Sequence, residues 1–456
     1  MVRPFRLIAL FLALCSLPSV AATDDFDRYV QLQIERQHIP GLSLAILRGD
    51  RVVKMRGYGL ADIEQGVAAT ADTVYEIGSV TKSFTSMAVL LLREQGRLSL
   101  DDPLGKFLPD VPDTWKPVTI RQLLSHTAGV PDYEEVMGYE SYRLAMTPAQ
   151  VYAYVAAKPL DFAPGSKWNY SNTGYYLLSL VIEKVSGEKY IDFVTKHILV
   201  PAGMAHTRSS EPDDLIPHRA SGYDYPERLR NRDAMQPSAT GGAGMLVSTI
   251  GDMVRWAAVL KKKEILKPES YALMFTDTLL TDGSRAGYGF GWFVAPMRDH
   301  RAIAHSGGTA GFGCNFLYLP EDDVTIIVLT NTGTANPTNF TDHFARVMVP
   351  GLRYTKLPDQ RPEIGKLLLD LYSHRADADP YLSPFTPAFG AQVTPYWAVP
   401  LDYYRALGAP LGVELVEVLP GEKGFRYRVR YRDTNRLVSV KLDASGKISG
   451  LSGMEE

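Results

Sequence analysis

Asp25 to Gln37 reads as a helix that stops before His38-Ile39-Pro40-Gly41. Two apolar-rich runs then flank Gly49-Asp50, a strong turn pair, and predict a β-hairpin over "LSLAILRGDRVVKMRGYG". In "SFTSMAVLLLREQG" the apolar residues Phe84, Met87, Ala88, Leu91 and Leu92 recur three and four apart, and Gly96 closes the run, which predicts an amphipathic helix. From there to about residue 280 the pattern gives helical pieces joined by Gly/Pro-rich loops. Strand patterns return at "YGFGWFVAP", "RAIAHSGG", "NFLYLP" and "VTIIVLTNT", with Glu321-Asp322-Asp323 as a turn between the last two. Strands at both ends that bracket a helical block predict an α/β protein of the α+β type, in which one antiparallel sheet is flanked by helices and carries a helical lobe.

The pattern loses its period over "GLRYTKLPDQRPEIG", residues 351–365. Beyond it come the helical pieces "KLLLDLYSH" and "LDYYRALG" and four strand-like runs, which predict a small α+β domain with a curled antiparallel sheet, cystatin-like in outline. The expected boundaries are a leader at 1–22, a main domain at 23–355, a linker at 356–365 and a C-terminal domain at 366–456. In "GFRYRVRYR", Phe425, Tyr427, Val429 and Tyr431 alternate with Arg426, Arg428, Arg430 and Arg432, as in a half-buried strand with one basic, solvated face.

Charge and composition narrow the function. A net charge of −3 argues against a nucleic-acid binder, and 45% hydrophobic with 22% charged residues suits a globular chain. The N-terminus places Arg3 and Arg6 before the apolar stretch Leu7–Leu17 and the small residues Ala21-Ala22. That stretch is too short to span a bilayer and reads as a secretory signal peptide cleaved after Ala22, which predicts a periplasmic or secreted product. Cys314 is then the one remaining cysteine, so no intramolecular disulfide can form and a buried thiol is expected.

Three motifs carry possible chemistry. Ser79-Val80-Thr81-Lys82 opens the helix that begins near Phe84, where backbone N–H groups and the helix dipole favour developing negative charge. Lys82 lies one turn on, on the same face, and a lysine taken out of water can serve as a base. The same residues could equally form a serine cap beside a surface lysine. A second Ser-x-x-Lys, Ser186-Gly187-Glu188-Lys189, sits at a helix stop and acts as an internal control. Tyr170-Ser171-Asn172 is the one Tyr-x-Asn among 25 tyrosines. His305-Ser306-Gly307-Gly308 ends a strand, with glycines that allow close backbone approach. His300 and His305 would face opposite sides of a strand, no Cys/His/Asp cluster has metal-ligand spacing, and no Gly-x-Ser-x-Gly elbow is found, so no metal or cofactor is implied.

In this order, Ser79-x-x-Lys82, Tyr170-Ser171-Asn172 and His305-Ser306-Gly307 resemble the three motifs of the serine β-lactamase and penicillin-binding superfamily. The tyrosine points to the class C β-lactamase-like branch, which also holds DD-carboxypeptidases, D-amino-acid peptidases and esterases. "VTIRQLLSHTAGVPDY" (118–133), "GGAGMLVSTIGDMVRW" (241–256) and "GYGFGWF" (287–293) carry the likeness further, and it spans roughly residues 25–345. The resemblance implies an exported serine hydrolase acting on D-alanyl peptides or small esters, with a β-lactamase or a non-catalytic sensor of cell-wall fragments as alternatives. A sensor would lack one of the motif Ser, Lys or Tyr residues, and all three are present. The resemblance also implies roles. Ser79 would be the nucleophile, with Lys82 and Tyr170 moving its proton. Backbone N–H groups of Ser79 and Gly308 would form the oxyanion hole. Asn172 would hydrogen-bond the acyl-side amide, and His305, with Ser306 and Gly307, would help hold a substrate carboxylate or the Tyr170 hydroxyl. β-Lactamases of this branch usually have lysine at position 305, so the imidazole implies a weaker anchor that titrates near neutrality. The partner is then a small-molecule or peptide substrate, with no nucleic acid and no membrane span.

Overall fold

A computed structural model describes residues 25–138, 142–225, 228–398, 401–419 and 424–456. The expected leader and its cleavage point at Ala22 lie outside the described residues. Helix α1 (Asp25–Gln37) leads into the hairpin of β1 (Gly41–Arg48) and β2 (Arg51–Asp62), and the short strand β3 (Val67–Ala68) pairs with β2. Gly49 makes the tight turn with φ +62, a conformation that costs a glycine little. Far along the chain come β4 (Ile303–Thr309), β5 (Phe312–Leu319) and β6 (Val324–Thr330). Together they form one antiparallel sheet in the order β3-β2-β1-β6-β5-β4, so β4 is an edge strand.

Period-two alternation sorts the sheet residues between two cores. Ala45, Leu47, Ile327 and Leu329 face a helical lobe, while Leu42, Leu44, Ile46, Ile326 and Val328 pack on α1 and a helix at Pro337–Met348. Both faces are covered, which is why "VTIIVLT" is buried throughout.

The helix expected from "SFTSMAVLLLREQG" forms as α2 (Thr81–Glu94), but it is not a surface helix. Residues 81–90 are all buried, polar ones included, because the lobe closes around it. Their hydroxyls are satisfied locally: Thr85 Oγ1 donates to the Gly242 carbonyl at 2.7 Å, and Ser83 Oγ donates to that of Val80 at 2.7 Å. The segment "YGFGWFVAP" does not form the expected strand. Gly291 has φ +76, and a Cβ there would lie 2.8 Å from the Lys82 carbonyl oxygen. The chain therefore crosses α2 in backbone contact and keeps isolated bridges only, Tyr288 to Phe293 and Phe293 to Ala304.

Residues 353–361 carry no helix or strand, and a helix starts at Pro362, ahead of the expected boundary. The four expected strands form a sheet in sequential order, and a third apolar cluster runs from Ile364 to Ile448. The expected basic face is neutralised. Glu414 lies opposite Arg428 and Glu417 opposite Arg426 in the strand register, and each pair is bonded, at 3.4 Å and 2.5 Å. Glu456 takes Arg428 as well.

Glu455 docks this sheet on α1. Its buried carboxylate accepts from Gln33 Nε2 at 2.7 Å, Arg36 Nη1 at 3.1 Å and Thr434 Oγ1 at 2.7 Å. Removing one partner of a buried ionic pair leaves the other uncompensated. Glu455→Ala is expected to cost about 3 kcal/mol in chemical denaturation, with hydrolysis by the folded fraction unchanged. An unaltered denaturation midpoint would show that the contact contributes nothing.

Candidate active site

Ser79 stands in a one-turn 3-10 helix, Gly78–Val80, immediately before α2. Gly78 has φ +48 and makes the bend that turns the serine into a cleft of about 440 Å³. The control serine has a different setting. Ser186 ends its helix at Gly187, and its hydroxyl is spent on the backbone of Glu188.

Lys82 is fully buried one turn beyond Ser79. Its Nζ donates to Ser79 Oγ at 3.0 Å, Asn172 Oδ1 at 2.7 Å and the Ala243 carbonyl at 2.8 Å. Burial lowers its pKa to about 7, against the opposing pull of Asp132 and Glu134. Tyr170 closes the other side of the serine, with its phenol beside Ser79 and Lys82 Nζ 4.7 Å from its ring centre. Burial pushes the Tyr170 phenol well above its ordinary range.

His126, given no role from sequence, positions Tyr170. Its Nδ1 accepts the Ser171 N–H at 3.1 Å, its carbonyl accepts that of Asn169 at 3.0 Å, and its ring lies 4.4 Å from the Tyr170 ring. The accepted bond fixes the tautomer with the proton on Nε2, and burial holds the ring neutral.

The edge strand β4 passes the serine in backbone contact. A Cβ on Gly307 would come within 2.0 Å of the Ile77 carbonyl oxygen, and one on Gly78 within 2.9 Å of Gly308 N. This brings the Gly308 and Ser79 backbones side by side, while Ser306 is exposed beside them.

Two expectations are corrected. His305 is 1% exposed and donates from Nδ1 to the Ser306 carbonyl at 2.6 Å. Its Nε2 accepts the Tyr288 hydroxyl at 2.9 Å, and burial drops its pKa to about 3. It is a neutral wall residue across the working pH range, not an anchor that titrates near neutrality. Asn172 lines the cleft, but its amide is engaged within the protein. Its Nδ2 donates to Asp132 Oδ2 at 3.2 Å and Glu134 Oε2 at 2.5 Å, so both amide hydrogens are committed within the protein. Asp132 and Glu134 lie inside or just past the "HTAGVPDY" stretch, yet nothing in their spacing announces contact with a residue some forty positions on.

Among the described residues that line the cleft, Asp132, Glu134 and Glu135 supply carboxylates, and no arginine or lysine is present. No group of three or more His, Cys, Asp or Glu side chains that could hold a metal ion occurs among the described residues.

The Beta-lactamase family profile matches residues 26–347, and the chain belongs to that family. Penicillin-binding protein 4* of Bacillus subtilis (strain 168) is 31% identical over 318 residues, covering 65% of this chain and 69% of its own. The octameric penicillin-binding protein homologue from Pyrococcus abyssi shares the fold, with a TM-score of 0.65 at 22% identity, over 94% of this chain and 98% of that one. The shared fold therefore extends beyond the family-matched segment. A D-stereospecific amidohydrolase from Streptomyces sp. is 25% identical, with a TM-score of 0.58, over 70% of this chain and 99% of that one. The chain is thus a hydrolase of the β-lactamase and penicillin-binding superfamily.

Proposed function

We propose that the protein is an exported serine acyl hydrolase that cleaves amide or ester bonds through an acyl-enzyme on Ser79. The observation that carries this reading is the opposite displacement of two groups beside one hydroxyl, which Lys82 bonds at 3.0 Å: Lys82 lowered to about 7 and Tyr170 raised. At neutral pH a large fraction of Lys82 is uncharged and can take the Ser79 proton. Tyr170 remains a neutral phenol and can relay that proton from Lys82 to the leaving group, which returns both groups to their starting states. The N–H groups of Ser79 and Gly308 would hold the oxyanion, which the close approach of the two backbones supports. Water then repeats the sequence on the acyl-enzyme, with Lys82 again as base.

The cleft favours D-aminoacyl amides and small esters over substrates that need a carboxylate anchor. A C-terminal carboxylate, as in a D-alanyl-D-alanine peptide or a β-lactam, meets neutral His305 and three carboxylates. The amidohydrolase among the similar structures supports the same choice. Export rests on the leader-like N-terminal sequence.

The test is a panel of p-nitrophenyl acetate, D-alanine p-nitroanilide, N-acetyl-D-alanyl-D-alanine and nitrocefin, with Ser79→Ala as control. The first two should be turned over much faster than the last two, and Ser79→Ala should abolish all of it. Preferred cleavage of the dipeptide or of nitrocefin would contradict the substrate choice.

A further inference from the structure

The partners of Asn172 can be assigned without ambiguity. Lys82 Nζ can only donate when charged, so the atom 2.7 Å from it is the amide oxygen. Asp132 and Glu134 accept, so the atom facing them is the amide nitrogen. Asp132 also accepts the backbone N–H of Asn172 at 3.2 Å and that of Glu134. Glu134 is held in turn by the Tyr142 hydroxyl. A continuous chain thus runs from two carboxylates through one amide to the lysine and on to the nucleophile.

We propose that Asp132 and Glu134 are positioning residues that act through Asn172 to orient Lys82 and set its charge. The proposal rests on the reading of Ser79 and Lys82 as nucleophile and base. With both Nδ2 hydrogens committed, the amide has no donor left for a substrate carbonyl. With its oxygen aimed at Nζ, it holds the lysine one bond from Ser79. The two carboxylates are the acidic groups acting on Lys82. The other groups around it are Tyr170, Tyr175, His126 and His305, and both imidazoles are neutral through burial. A negative charge near the ammonium favours its protonated form, so removing that charge lowers the pH at which Lys82 gives up its proton.

Two readouts test this on the full chain. The first compares Asn172→Ala on p-nitrophenyl acetate, which has no acyl-side amide, with N-acetyl-D-alanine p-nitroanilide, which has one. The proposal expects kcat to fall by the same factor on both, about tenfold or more, with KM little changed. A loss confined to the anilide, and seen in KM, would overturn it.

The second readout follows kcat/KM against pH for Asp132→Asn and Glu134→Gln. The rising limb should move to lower pH by about one unit in Asp132→Asn, and in the same direction in Glu134→Gln. A limb that stays in place in both variants would also overturn the proposal. Glu134 is half-exposed, so Glu134→Gln keeps the test open if Asp132→Asn fails to fold. Labelling of wild-type Ser79 by a fluorophosphonate separates the two failures. If Ser79 does not label, the underlying reading falls. If it labels and the limb does not move, only this inference falls.

Discussion

Lys82→Met should lower kcat/KM for a p-nitrophenyl ester by about a thousandfold, while the protein stays folded. Methionine is flexible, unbranched and apolar, so it can occupy the buried channel that Lys82 fills without placing a charge there. Taking an ammonium out of a buried site also removes its desolvation cost, which offsets the donors lost to Asn172 Oδ1 and the Ala243 carbonyl. What disappears is the group that accepts the Ser79 proton. The wild-type pH profile carries the same signature. Lys82 is charged below its pKa of about 7 and neutral above it, so kcat/KM should rise with pH through neutrality and then level off. Activity in Lys82→Met within tenfold of wild type would remove the lysine from the mechanism.

Gly307→Ala should lower kcat by about a hundredfold or more, the scale for losing an oxyanion-hole donor. The added methyl would lie 2.0 Å from the Ile77 carbonyl oxygen and 3.1 Å from Ser79 N, and both obstacles are backbone. The only relief is for the edge strand to move away from the serine, which carries the Gly308 N–H with it. β4 lies at the sheet edge, held along its length by β5 and on its other side by the Phe293–Ala304 bridge, so the shift can occur without unfolding the sheet. Kinetics on a small neutral ester, with a denaturation curve alongside, separate a displaced donor from a collapsed fold. Unimpaired kcat would mean that β4 does not supply the donor.

The chain shows some of this openly and hides the rest for a physical reason. Helix α1, the first hairpin, the later sheet strands and the C-terminal strands follow from local periodicity, and they form where the pattern places them. Ser79 and Lys82 were also legible, because one helical turn fixes their spacing whatever surrounds them. Burial was not. The polar residues of α2 looked like a solvated face because only the fold shows that the lobe closes around them. His305 looked titratable because its enclosure depends on Tyr288, in a segment whose glycines turned it from a strand into a crossing loop. The arginine run looked solvated because its partners lie on neighbouring strands. Asn172 looked substrate-facing because Asp132 and Glu134 are distant in sequence and adjacent only after folding. In each case the residue was visible and its partner was not.

The central claim is that Ser79 alone carries the acyl group. Incubating the full chain with a fluorophosphonate and locating the adduct by peptide mass spectrometry tests it most directly. One adduct per chain is expected, on the peptide that holds Ser79, lost in Ser79→Ala. An adduct on Ser186, or labelling that survives Ser79→Ala, would contradict it.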